Sequence, residues 1–225
     1  PAISSPAPAG SAPGPSLNRL RLRATLCLLL LSGSLQAWGD RGHRLVSRKA
    51  LETLPPTPRA WYAGREQALE DHASDPDHWK TDKKEGPRHY MNLEAFGGPG
   101  RLPRTQEAAR RVAGANYVKK GVVPWIIQER YQDLVAAFRS RDAAAITQAT
   151  AGLGHYIGDA HVPLHTTLDH DGKTTDQVGV HSRWETGLVG RMPDVERLPV
   201  RGAQVDGQIL QHPWDWLEAA HACVP

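Results

Sequence analysis

Seven residues of this chain stand at spacings suited to holding a transition metal. His155 and Asp159 lie four apart, and so do His181 and Glu185, which brings each pair to one face of a helix. His165 follows Asp159 by six residues, just past Pro163, where the chain can turn the imidazole back toward a neighbouring site. Upstream, Asp75 precedes His89 by 14 residues. Neutral imidazole and carboxylate are the nitrogen and oxygen donors that Zn²⁺ accepts at about 2.0–2.2 Å. A single His/acid pair at this spacing is an ordinary surface ion-pair pattern. Two pairs, with Tyr156, Ile157, Val162 and Leu164 around the first, describe a buried helix end. Buried His and Asp require partners, and a metal cluster supplies them. Eleven histidines beside only two phenylalanines fit the same chemistry.

Helices must position these groups. Leu45, Val46, Ala50, Leu51 and Leu54 recur at helical spacing before the Pro55-Pro56 stop. From Pro124 to Arg139, proline sits in the first turn, and Ile126, Ile127, Tyr131, Leu134, Val135 and Phe138 share one side. Asp142 is placed to cap a third helix that carries His155 and Asp159 until Pro163 ends it. A short helix is expected near His181, with loops over 72–104 and 166–180. No stretch alternates as a strand does, so the expected fold class is all-α, a compact multi-helix single domain.

Residues 1–37 stand apart from that domain. Residues 1–17 are Pro, Ala, Ser and Gly without periodicity, which reads as a disordered leader. Residues 18–37 combine Arg19, Arg21 and Arg23 with an apolar run from Ala24 to Leu31 and a small-residue approach to Ala37. That is the pattern of a secretory signal, its apolar run too short to span a bilayer. Cleavage after Ala37 makes Trp38 the mature N-terminus, gives a domain over 38–225, and implies a secreted or periplasmic location. Cys27 leaves with the signal, so Cys223 alone remains and no internal disulfide is expected. Three arginines leave too, so 27 basic and 24 acidic residues become 24 of each. The whole-chain pI of about 9.0 therefore does not argue for a basic nucleic-acid-binding surface. A mean hydropathy of -0.49 excludes a multi-span membrane protein.

Five segments then carry a resemblance. Trp38-Gly-Asp-Arg-Gly-His43, Ala73-Ser-Asp75, His89-Tyr-Met-Asn, His155-Tyr-Ile-Gly-Asp159-Ala-His-Val-Pro-Leu-His165 and His181-Ser-Arg-Trp-Glu185 occur in order. In this the chain resembles the family that joins fungal single-strand-specific nucleases with bacterial zinc-dependent phospholipases C, over about residues 38–223. The resemblance implies three zinc ions per chain. Asp75, His89, His155 and Asp159 would hold one; His165, His181 and Glu185 a second; the α-amino group and carbonyl of Trp38, His43 and a shared Asp159 the third. Asp75 is further implied as the catalytic residue that holds or deprotonates the attacking water. The implied reaction is hydrolysis of a phosphodiester in single-stranded DNA or RNA, with phospholipid head-group cleavage as the alternative and no obligate protein partner. A helical protein with purely structural zinc, which needs closed tetrahedral sites, is the non-enzymatic alternative.

Several positions depart from the nuclease pattern. Glu185 resembles the phospholipase branch, where nucleases usually carry Asp. Nucleases of the family tend to place an Arg three residues after the first Asp; here that position is His78, and Lys80 is the nearby substitute. The fungal disulfides have no counterpart. Trp214 to Pro225 resembles the start of a helix that the family continues, so C-terminal helices are expected to be missing. His161 is open between supporting a ligand and facing solvent, and His72, His78, His170, His212 and His221 are expected to be solvated. The loops over 72–104 and 166–180 read as polar, with Lys80, Lys83, Lys84 and Arg88 near Trp79 and Tyr90. Cations among aromatics suit a single strand, whose phosphates need positive partners and whose bases need a flat surface.

Overall fold

The computed structural model describes residues 39–203 and 207–224; the leader, the signal and Trp38 lie outside them. The described residues contain no strand, and the all-α expectation holds. The helices are α1 (Gly39–Thr53), α2 (Pro56–Trp61), α3 (Glu66–Asp71), α4 (Asp75–His78), α5 (Gln106–Ala113), α6 (Val123–Ser140), α7 (Ala143–Ala160), α8 (Val180–Ser182), α9 (Val189–Arg191) and α10 (His212–His221). A π-helical segment, Arg183–Leu188, joins α8 to α9.

The two longest helices, α6 and α7, pack against each other across a two-residue connection. Arg141 turns the chain there with a φ of 58°. Asp142 then caps α7 as expected, accepting the backbone N–H groups of Ala144 at 2.9 Å and Ala145 at 3.1 Å. That satisfies two of the donors a helix N-terminus leaves open, worth about 1 kcal/mol. Small residues on α7 let its neighbours approach closely. A Cβ on Gly158 would stand 3.7 Å from the His43 ring, so α1 lies directly on the end of α7 that carries His155 and Asp159.

The main core gathers Met91, Leu93 and Phe96 with Trp125, Ile126, Tyr156, Trp214 and Leu217. Trp214 of α10 is buried there, donates Nε1–H to the Pro103 carbonyl at 2.9 Å and meets Trp125 edge-on at 5.9 Å. Two expectations need correction. Phe138 is exposed: its neighbour Ala137 takes the buried side of α6, and the Phe138 ring lies outside, tilted against that of Trp61 at 5.7 Å. Residues 72–104 are not one loop: α4 and the 3₁₀ turns Trp79–Thr81, Gly86–His89 and Leu93–Phe96 fold them tightly.

Backbone hydrogen bonds lock that folded segment to the end of α7. Met91 N–H donates to the His165 carbonyl at 2.9 Å and Leu93 N–H to that of Thr166 at 2.8 Å, while Asn92 N–H reaches Lys120 at 2.8 Å. Gly121 makes the last approach possible. Its φ is +96°, and a Cβ would sit 2.2 Å from the Tyr90 carbonyl oxygen. Gly121→Ala is expected to cost on the order of 3 kcal/mol through strain and overlap together, seen as a lowered urea midpoint; an unchanged midpoint would show that the backbone shifts freely here.

Candidate metal centre

The last turn of α7 sets the centre of the site. His155 and Asp159 project from one face as their spacing predicts, and both are buried. Asp159 stands among four imidazoles: its Oδ2 is 2.8 Å from His89 Nδ1 and 3.3 Å from His155 Nε2, and its Oδ1 is 3.7 Å from His43 Nε2 and 3.6 Å from His165 Nδ1. The His43 and His155 rings stack at 3.8 Å between centroids. His155 is oriented from behind, its Nδ1 lying 2.9 Å from the Ala73 carbonyl, so that Nε2 faces the cluster.

The second group closes around Glu185, which the π-helical segment turns inward. Its oxygens lie 3.0 Å from His165 Nε2 and 2.9 Å from His181 Nε2, and the two imidazole nitrogens are 3.2 Å apart. Single π-helical turns are rare and recur at functional sites.

Asp75 is not where its sequence position suggested. Its carboxylate pairs with His72 Nδ1 at 2.7 Å, is about a third exposed, and belongs to none of the buried groups. Asp77 takes the place. Its buried carboxylate faces His155 Nε2 at 3.7 Å, His89 Nδ1 at 3.8 Å and His43 Nε2 at 3.8 Å. On a helix, positions two apart point about 200° away from each other, so α4 can send only one of the two inward. A signal in the sequence could have found this: counting three residues forward from Asp77 reaches Lys80, the cation that counting from Asp75 misses. Lys80 Nζ lies 2.5 Å from Asp77 Oδ1.

Eight residues are thus brought together: His43, Asp77, His89, His155, Asp159, His165, His181 and Glu185. Trp38, expected beside them, lies outside the described residues. His161 is exposed and donates Nδ1–H to its own helix end, to the Ile157 carbonyl at 2.7 Å. His221, expected in solvent, instead meets Thr166 Oγ1 at 3.0 Å.

The donor set fits zinc. Facing ligand atoms around Asp159 Oδ2 and Glu185 lie at 2.8–3.3 Å, near the edge of about 3.3 Å of a tetrahedron with bonds of about 2.0 Å, while those of Asp77, His43 and His165 Nδ1 stand farther off, at 3.6–3.8 Å. Both nitrogens of His43, Asp77 Oδ2, Asp159 Oδ1, His165 Nδ1 and both Glu185 oxygens are buried without a hydrogen-bond partner among the protein atoms. Orphaned buried polar atoms pointing at one another are costly unless a ligand satisfies them.

Their protonation is set by competition between burial and neighbouring charge. Burial pushes the Asp159 carboxyl up, but His155 and His165, with hydrogen bonds from His155 and His89, hold it well below the usual range. Glu185 is likewise raised by burial and lowered further by His165 and His181, ending low. Burial holds His43 well below an ordinary imidazole, helped by His155. For His165 burial lowers the value, but Glu185 and Asp159 outweigh it and raise the ring.

Among the described residues, helices without strands frame adjoining buried His/carboxylate groups that could hold metal, the class of an all-α protein with a candidate metal site. The S1/P1 Nuclease family model matches residues 38–193, and the chain belongs to that family. The family comprises hydrolases that act on phosphodiester bonds. A probable serine protease of Bradyrhizobium tropiciagri is 26% identical over 113 residues, covering 43% of this chain; the chain spans 14% of that protein's length. No solved structure matches.

Two expected outcomes follow from the geometry. Asp77→Asn should remove about one zinc per chain by elemental analysis, whereas Asp75→Asn should leave the content unchanged; the reverse pattern would restore Asp75 to the cluster. The lowered carboxyls of Asp159 and Glu185 give stability that is present above the unfolded carboxylate range, near pH 4, and lost as pH falls through their folded values. The chelator-stripped chain should therefore lose urea resistance between pH 5 and about pH 3, and Glu185→Gln should flatten that slope. An equally steep slope in the variant would remove Glu185 from the explanation.

Proposed function

We propose that this chain is an exported zinc-dependent phosphodiesterase that cleaves single-stranded DNA or RNA. One zinc would be held by Asp77, His89, His155 and Asp159, a second by His165, His181 and Glu185, and a third by His43, Asp159 and the Trp38 amine and carbonyl. The observation that carries the reading is Lys80, a cation at hydrogen-bond distance from the inward carboxylate of a site otherwise built of metal donors. When bound, zinc would supply Lewis acidity toward a phosphoryl oxygen and lower the pKa of water toward 7. Export rests on the signal pattern of residues 18–37, and no helix of the described residues is long and apolar enough to cross a membrane.

The chain's own groups then have separable tasks. Asp77 Oδ2, buried and without a protein partner, can accept a hydrogen bond from the attacking water and take its proton. The water oxygen bonds to phosphorus as the opposite P–O ester bond breaks in line, and the leaving oxygen, which keeps the bonding pair, takes up a proton from solvent. Lys80, about a quarter exposed, can exchange its contact with Asp77 for a phosphate oxygen. Trp79, 47% exposed, and the half-buried Tyr90 offer flat surfaces nearby in sequence. Arg88 is not available for this: it points toward Glu129 at 3.2 Å and Glu85 at 3.5 Å.

A second reading, phospholipid head-group cleavage, has its own support. Besides Glu185, the segment 166–180 exposes Leu168 and Val178, at 53% and 62%, although it reads as polar overall. One zinc-supplemented preparation incubated with single-stranded DNA, RNA and phosphatidylcholine vesicles separates the two. Shortened DNA or RNA with intact lipid is expected; phosphocholine release with intact nucleic acid would replace the nuclease by the phospholipase.

A further inference from the structure

We infer that Glu85 is a positioning residue for the metal centre, fixing the ring and tautomer with which His89 offers Nδ1 to the cluster. The inference rests on reading that cluster as a zinc site. His89 has its two nitrogens in different surroundings. Nδ1 faces Asp159 Oδ2 at 2.8 Å and His155 Nε2 at 3.1 Å, inside the donor set. Nε2 points the other way, toward Glu85 Oε1 at 3.3 Å, a contact without the alignment of a closed hydrogen bond. A carboxylate beside Nε2 favours the proton on that nitrogen and leaves the Nδ1 lone pair free for a metal.

The carboxylate is itself held. Glu85 is 8% exposed, and the O–H of Tyr156, the residue next to His155 on α7, donates to the same Oε1. Arg88 Nε stands 3.5 Å from Oε2, and Arg88 in turn donates to Glu129 at 3.2 Å. The Tyr156 ring is buried 5.2 Å from that of His89, so the residue that grips the carboxylate also walls the imidazole.

A buried carboxylate is costly, and an apolar side chain of similar size usually serves stability as well or better. Glu85 makes sense as a group whose work lies in the imidazole it faces. The same arrangement occurs once more in this centre, where the Ala73 carbonyl stands behind His155 Nδ1 and leaves Nε2 to the cluster. One imidazole is backed by a main-chain oxygen and the other by a side chain. Only the side chain can be changed by mutation.

The test uses the whole chain, stripped of metal and titrated with Zn²⁺ against a chromophoric chelator, then loaded with Co²⁺ for its visible absorption. Glu85→Gln keeps the shape and removes the charge. It is expected to weaken one zinc by about 10- to 100-fold and to alter the cobalt spectrum, with the other metal positions and the circular dichroism unchanged. Glu85→Asp, which restores the charge on a shorter stem, should recover part of the affinity. A folded Glu85→Gln chain with wild-type zinc affinity and cobalt spectrum would overturn the inference. Should that variant fail to fold, Tyr156→Phe removes the O–H that holds the carboxylate and should weaken the same zinc by a smaller factor; an unchanged affinity there would overturn it equally. A wild-type chain that binds no zinc would instead overturn the metal reading from which the inference starts.

Discussion

The structure depends on how one wholly buried carboxylate is compensated. Asp159 has no exposure to solvent, and a charge in that position is tolerable only if opposite charge or hydrogen-bond donors surround it. Four imidazoles within 4 Å do so from four different parts of the chain: α1, the Gly86–His89 turn, α7 and the Pro163–His165 turn. An imidazole beside a carboxylate can serve as its hydrogen-bond donor or, neutral, as a ligand to a cation. Divalent metal ions bound among them would take the imidazoles in the second role and remove the need for several mutually repelling imidazolium charges in one buried space.

Much of the fold can be understood as what is needed to bring those four parts together. The small residues Gly154 and Gly158 of α7 let α1 lie close on its last turns. The paired backbone hydrogen bonds of Met91 and Leu93 to residues 165 and 166 tie the segment bearing His89 to the one bearing His165. Two imidazoles far apart in sequence are thereby set in register by main-chain geometry, without a sheet. Glu185 comes from a separate element, the π-helical segment Arg183–Leu188, where it is buried four residues after His181.

What the sequence made legible was whatever a local period governs. The His155/Asp159 and His181/Glu185 pairs follow from helical spacing, and the Asp142 cap and the Pro163 stop follow from backbone chemistry that acts within a few residues. The choice between Asp75 and Asp77 was illegible by type alone, since both are aspartates flanking Pro76. It turns on which way a four-residue helix is rotated, and that is set by packing against His155. Glu85 was missed for a related reason: its partners, His89 and Tyr156, lie 4 and 71 residues away, and only the tertiary fold brings Tyr156 to it. The exposed Phe138 shows the opposite failure: helical spacing grouped it with the apolar side, whereas the side of α6 that is buried there is the one bearing Ala137.

The central claim is that these buried donors converge on metal ions rather than merely on one another. Crystals of the zinc-loaded chain, measured above and below the zinc absorption edge, test it most directly. The account predicts anomalous peaks among the donor atoms of Asp77, His89, His155 and Asp159 and among those of His165, His181 and Glu185. Well-ordered side chains in this arrangement with no anomalous peak between them, or peaks only at the protein surface, would contradict it.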